Sequence, residues 1–255
     1  LIGCAVMTGV GSATNGAQIR PGETVAVIGC GGIGLNIVQG CRLAGASRII
    51  AVDLNAEKLE AARGFGATDV VDASTDDPVA AVQALTGGGV DAAFEAIGLT
   101  ATGEQALAMI RPGRTAYLVG VPPVTSTMTV PGALMVLQAK GLRGLFMGNS
   151  NFKVEMPNLA RHYLEGRLEL DRLVSAHITL DEVNDGYAEL KAIDRVRMLR
   201  CVCSVLVSKD EKAEVKQAIA RCHLGCDSEG AYWLLPTQQR LYRAALGHLR
   251  GVKEG

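Results

Sequence analysis

The chain has 255 residues, 48% hydrophobic and 20% charged, with a formal net charge of −1, a balance that excludes disorder or a collagen-like fibre as its main state. Near-zero charge argues against a nucleic-acid binder working by bulk electrostatics. The apolar runs fall far short of the ~18 residues a membrane span needs, and the length allows roughly one or two domains.

Between residues 24 and 148, short apolar runs alternate with helix-length amphipathic stretches. Residues 24–29, 48–53, 69–72, 90–95, 115–120 and 142–148 read as strands. Residues 32–44, 56–65, 78–85 and 102–110 carry apolar spacings of three and four and read as helices. Asn55 and Asp77 stand where helix caps belong, and Gly45, Gly66 and Gly87 close the three helices before them. This rhythm predicts an α/β fold, a doubly wound, six-stranded parallel sheet covered on both faces. No helix start is visible between the fifth and sixth strands: Val121-Pro122-Pro123 stops the chain, and residues 130–139 then run apolar. Beyond Gly148 the pattern predicts a helix at 157–165, a strand at 173–178, a capped helix at 181–191 and a strand at 196–203. From Ser208 the chain reads as a polar, helical tail with an amphipathic helix at 236–250 and no site.

Glycine makes up 31 of 255 residues, about 12% against a usual ~7%, and it gathers at the ends of apolar runs. There a backbone turns tightly or approaches something closely. Thr24–Ile28 runs into Gly29-Cys30-Gly31-Gly32-Ile33-Gly34, and a helix follows. Gly29, Gly31 and Gly34 have the G-x-G-x-x-G spacing, whose glycines serve a tight turn, room for a pyrophosphate, and helix–strand contact. The helix N-terminus offers unpaired N–H groups and positive dipole to phosphates. Asp53 ends the second strand 19 residues after Gly34, where the fingerprint places an acid for the ribose hydroxyls. Such a carboxylate repels a 2′-phosphate, and Leu54 beside it is no substitute for an arginine, so NAD is favoured over NADP. By itself Asp53 also reads as a polar strand end or a helix cap.

Several segments together carry a family resemblance: Gly3-Cys4-Ala5-Val6-Met7-Thr8-Gly9, the glycine fingerprint, Ala51-Val52-Asp53-Leu54-Asn55-Ala56-Glu57-Lys58, Phe94-Glu95-Ala96-Ile97-Gly98 and Val119-Gly120-Val121-Pro122-Pro123. With them, residues 1–205 resemble the zinc-containing medium-chain alcohol dehydrogenases, nearest to the glutathione-dependent formaldehyde dehydrogenase branch. The resemblance implies a Rossmann NAD-binding domain with a preceding linker helix over 1–148, the C-terminal remnant of a catalytic domain over 149–205, and a tail over 206–255 outside the family pattern. It implies that Cys4 is one ligand of a catalytic zinc and that Thr8 packs against the nicotinamide with Ile33 behind the ring. Lys58 falls near the adenosine ribose, and Ile97 and Gly98 form the adenine-side wall, beside Gly29, Gly31, Gly32, Gly34 and Asp53 of the fingerprint. Val119, Val121, Phe146 and Met147 match backbone positions that bind the carboxamide, and Arg197 matches the arginine on the pyrophosphate, with Arg195 as a competing register. The implied reaction passes a hydride between an alcohol or aldehyde and NAD, with zinc as Lewis acid in the intact enzyme. The implied assembly is a homodimer paired through the edge strand near residues 142–148, with no nucleic-acid or membrane partner.

Bland readings stand beside these. A Cys at a glycine-rich entry is most often a small buried residue, Lys58 reads as a solvated helix lysine, and Ile97, Val119 and Val121 as strand-end core. Arg197 also reads as a sheet-edge charge. Seven cysteines, an odd count with several in apolar runs, point to reduced thiols and a cytoplasmic protein. Cys201-x-Cys203 and Cys222-x3-Cys226 with His223 do not reproduce a zinc-ribbon spacing, and His162 and His177 lie too far along to complete a zinc set with Cys4. The chain starts at Leu1 without a signal peptide and reads as part of a longer protein, inactive by itself. Two alternatives remain: a non-catalytic NAD-binding module, and a zinc-independent medium-chain reductase, against which Cys4 speaks.

Overall fold

The computed structural model describes residues 1–174 together with two short strands further on. Six strands, β1 (Thr24–Ile28), β2 (Arg48–Asp53), β3 (Asp69–Asp72), β4 (Val90–Glu95), β5 (Ile110–Leu118) and β6 (Gly141–Gly144), form one sheet of order β3-β2-β1-β4-β5-β6. Every neighbouring pair in it is parallel. Helices α2 (Gly32–Leu43), α3 (Ala56–Phe65), α4 (Pro78–Thr86), α5 (Thr100–Met109) and α6 (Gly132–Leu137) supply the connections. Ahead of them α1 (Met7–Gly11) is flanked by single π-helical turns, Ile2–Val6 and Ser12–Gly16, and α7 (Phe152–Leu164) follows the sheet. The doubly wound six-stranded sheet expected from the sequence is therefore present.

Alternation along the strands sorts two cores. Val25, Val27, Ile49, Ala51, Ala92 and Phe94 face one layer, with α1 and α2 residues Val10, Leu35 and Val38. Ala26, Ile28, Ile50, Val52, Ala93 and Ala116 face the other, against Val82 of α4 and Leu107 and Met109 of α5. This is the period of two expected where both faces of a parallel sheet are covered. The caps behave as read: Asn55 accepts from the amides of Glu57 and Lys58, and Asp77 from Val79 and Ala80. Gly66 and Gly87 take the left-handed conformation at the helix ends.

Four boundaries depart from the sequence reading. β5 starts at Ile110, which already pairs with Val90; the register then shifts before Ala92 meets Thr115, and Gly113 within that stretch has φ +75. A short helix, α6, lies in the stretch that shows no start signal; its N-cap is Pro131, which has no side chain to cap with. β6 ends at Gly144, and Met147–Asn149 forms a 3₁₀ turn instead of extending the strand. α7 begins at Phe152 and carries Pro157 inside it, since Phe152 and Met156 pack on the first core and packing overrides the proline preference for a first turn.

At the start of the segment read as a strand at 173–178, Asp171–Leu173 is a 3₁₀ turn. Residues 175–178 of that strand, the elements at 181–191, 196–203 and 236–250, and the residues Arg195, Arg197, His177, Cys201, Cys203, Cys222 and His223 lie outside the described residues. In the tail, Gly225–Cys226 pairs antiparallel with Tyr232–Trp233, so these four residues are strand where a helical tail is expected. Tyr and Trp favour strands, and Gly is a poor helix former.

Candidate functional site

The strand order reverses between β1 and β4, where Ile28 pairs with Glu95. In open α/β sheets this reversal opens a crevice at the carboxyl ends of the strands. Because all six strands are parallel, the segments that follow them leave the sheet at that same edge. The ladder runs on past the strands to hold them: Gly29 N–H donates to Val52 (2.8 Å), Ala96 to Ile28 (2.9 Å), Val119 to Glu95 (2.9 Å) and Leu145 to Leu118 (2.8 Å).

The three fingerprint glycines meet three different demands. Gly29 turns at φ +95, and a Cβ on it would lie 2.5 Å from Ile97 Cγ1. A Cβ on Gly34 would sit 1.7 Å from the Gly29 carbonyl oxygen, so this glycine lets α2 press onto the turn. Around Gly31 a Cβ would meet nothing within 4 Å. That open space lies at the N-cap of α2, where no side chain caps the helix and Leu35 is bonded back to Gly31, leaving first-turn amides for an anion.

Asp53, at the end of β2, accepts from Cys30 N–H at 2.7 Å and from Asn55 N–H at 3.0 Å. Its carboxylate is thus fixed against the fingerprint turn while the residue stays half-buried. An ionised carboxylate has about four lone-pair sites, so two accepted bonds leave capacity for a pair of hydroxyls. Lys58 is near enough to lower the Cys30 thiol slightly, but burial dominates, followed by the Asp53 charge, and pushes that thiol up. Cys30 is therefore an inert, protonated core residue.

Other expected residues converge as well. Thr8 Oγ1 points at the Met147 sulfur, 3.8 Å away. A Cβ on the neighbouring Gly9 would lie 2.6 Å from the Ile33 carbonyl oxygen, so α1 meets the start of α2 beside Thr8. Gly98, at φ +93, lies so close to the β5 exit that a Cβ would come within 2.8 Å of the Val121 oxygen. Val119 is buried, Ile97 is half-exposed, and Val121 and Phe146 are 83% and 77% exposed. Arg197 lies outside the described residues. Cys4 is exposed and free, and among the described residues no three His, Cys, Asp or Glu side chains come together to hold a metal. The described donors therefore fit a dinucleotide and do not fit a zinc ion.

Sequence reasoning missed Glu95. It is 1% exposed, and its Oε1 accepts from Ile97 N–H, Gly98 N–H and Thr102 Oγ1, each at 2.8 Å. The available signal was an acid closing an apolar strand three residues before a glycine.

With this geometry in place, comparison with known proteins is decisive. The profile of the zinc-binding dehydrogenases matches residues 32–162, just over half of the chain. The chain belongs to the zinc-binding dehydrogenase family. Among solved structures it is similar to an alcohol dehydrogenase zinc-binding domain protein of Burkholderia ambifaria, with 33% identity and a TM-score of 0.73 over 75% of this chain and 51% of that one. It is also similar to the benzyl alcohol dehydrogenase of Acinetobacter calcoaceticus, with 32% identity and a TM-score of 0.73 over 76% and 53%. A third relative, a Sinorhizobium meliloti 1021 protein of the zinc-binding dehydrogenase type, is bound to NADP; identity is 31% and the TM-score 0.65 over 71% and 53%. The chain thus spans about half the length of these relatives. Among the described residues no helix is long and apolar enough to cross a membrane.

Proposed function

We propose that this chain is the nicotinamide-dinucleotide-binding part of an alcohol dehydrogenase and that it favours NAD over NADP. The observation that carries this reading is the open space at Gly31, the N-cap of α2, next in the chain to Cys30, whose amide holds the Asp53 carboxylate. The amides opening α2 would take the pyrophosphate, Asp53 the adenosine ribose hydroxyls with Lys58 nearby, and Ile97 and Gly98 the adenine side. Thr8 and Ile33 would line the nicotinamide, with the backbone of Val119, Val121, Phe146 and Met147 on its carboxamide and Arg197 on the pyrophosphate. When bound, the dinucleotide would accept or donate a hydride; the residues named fix its distance and exposed face. The Sinorhizobium relative's NADP supports a nicotinamide dinucleotide of either kind. The choice of NAD rests on Asp53 and Leu54.

For the whole protein, the substrate class proposed is a small alcohol or aldehyde, in line with the benzyl alcohol dehydrogenase among its relatives. Kinship to the glutathione-dependent formaldehyde dehydrogenase branch rests on the sequence resemblance of the five segments from Gly3–Gly9 to Val119–Pro123 taken together. Cys4 is proposed as a zinc ligand of the whole protein; it stands without partner donors among the described residues. That same observation favours a second reading of the chain by itself, as a module that binds NAD(H) without turnover.

Calorimetric titration of the chain with NADH and NADPH tests the proposal. NADH is expected to bind more tightly than NADPH, and Asp53→Asn to weaken NADH by roughly tenfold or more, since a hydrogen bond to a charged group contributes about 1.5–3 kcal/mol. No heat with NADH, or an Asp53→Asn variant of unchanged affinity, overturns it.

A further inference from the structure

Resting on that reading, we propose that Glu95 is a positioning residue for the dinucleotide: its carboxylate fixes the turn after β4 so that Ile97 stands over the fingerprint glycine, Gly29. A carboxylate this deeply buried is costly unless hydrogen bonds or a cation offset its lost hydration. Among the described residues no lysine, arginine or histidine forms an ion pair with Glu95; its compensation comes from the three donors on Oε1. Two of these are the successive amides of Ile97 and Gly98, and the third is the Thr102 hydroxyl in the first turn of α5. The Glu95 carbonyl meanwhile accepts from Val119 N–H and Gly120 N–H, at 2.9 and 3.0 Å. One residue therefore ties together the β4 exit, the start of α5 and the β5 exit.

The surrounding glycines are cut to fit this carboxylate. A Cβ on Gly120 would fall 2.7 Å from Glu95 Oε2 and 2.2 Å from Gly98 N. Gly98 in turn has a positive φ of +93, and its amide donates to Oε1 at 2.8 Å. The outcome is the placement of Ile97: half-exposed, on a backbone clamped at its own amide, with Cγ1 against the face of Gly29 where a side chain would have been. Glu95 acts through Ile97, so shortening the acid should move the wall of the crevice while leaving the sheet intact.

The test uses the full chain and NADH affinity, with circular dichroism confirming folded protein. Glu95→Gln keeps an oxygen acceptor at the same reach and is expected to bind NADH within about threefold of wild type. Glu95→Asp keeps the charge but withdraws it by one methylene, and is expected to lose about tenfold, as is Ile97→Ala; both remove the same partly buried apolar contact. The double variant Glu95→Asp/Ile97→Ala is expected to lose no more than either single one, the non-additivity of two residues acting through one contact. A purely structural acid would lower the melting temperature and leave folded-state affinity alone. Additive losses, or wild-type affinity in folded Glu95→Asp, overturn the proposal. Absence of NADH binding by the wild-type chain takes down the dinucleotide reading itself, which separates the two failures.

Discussion

Gly31 and Gly34 stand three residues apart in one motif, yet the structure assigns them opposite liabilities. Gly31 has an ordinary φ of −81 and open space where a Cβ would go. Gly31→Ala is therefore expected to change stability by less than about 0.5 kcal/mol while NADH affinity falls by about tenfold or more, because the methyl would fill the space proposed for the pyrophosphate. Gly34→Ala drives its methyl into the Gly29 carbonyl, and a loss of about 3 kcal/mol is expected from that overpacking. Urea unfolding of both variants, with NADH titration of Gly31→Ala, checks the contrast. The spacing of these glycines was legible in the sequence because each demand is backbone-local. Glu95 was not: an acid at a strand end looks the same whether solvent or three donors surround it, and the neighbours of its carboxylate come from the turn after β4, from α5 and from the β5 exit.

Among the elements, α2 does more than present its N-terminus. Its buried face carries two polar side chains, Asn36 and Gln39. Gln39 pairs with the backbone of Glu169 in both directions, donating to its carbonyl (3.2 Å) and accepting from its amide (2.8 Å). Arg42 donates to the Arg167 carbonyl, and Arg172 to the Gly64 carbonyl at 3.1 Å while lying over the Phe65 ring. The 167–172 segment is thereby pinned across α2 and α3. Gln39→Ala strands both backbone groups of Glu169, so a loss of about 1–3 kcal/mol is expected, with faster hydrogen exchange at the Glu169 amide than in wild type. Helices with side-chain caps, such as those after Asn55 and Asp77, could be placed to within a residue or so. α6 and the start of α7 could not, because Pro131 and Asn151 make no side-chain cap bond and packing of Phe152 and Met156 sets the boundary. Likewise nothing local in Gln39 announces a partner 130 residues away.

Over the whole molecule, two carboxylates tie strand ends together. Asp69 on β3 is held by Arg48 of β2, chiefly through their hydrogen bonds and then with help from the Thr68 hydroxyl, and its pKa falls to about 2. Burial alone would raise Asp91; the amide and hydroxyl of Thr24, then Arg114 and Arg111, outweigh it and leave that carboxyl below the usual range. An acid depressed on folding contributes stability above its unfolded pKa of about 3.9, and the contribution disappears as pH falls through the folded value. Stability is therefore expected to hold near neutrality and to decline from about pH 4 toward pH 2. Asp91→Asn should flatten that decline by removing one of the two acids, and urea midpoints measured across the range check it. The fold class was legible at this scale because strand, helix and glycine recur in phase. The ion pairs were not, since they join residues 21 and 23 positions apart through the sheet.

The crevice takes one lip from the exit of β1 and the other from the exit of β4, and these two strands are where the halves of the sheet meet. A nucleotide lodged there would stitch across that seam. Occupancy then adds to the free energy holding the halves together, in proportion to the logarithm of ligand over dissociation constant. The supply of dinucleotide would thus set how large a share of the molecules stays folded.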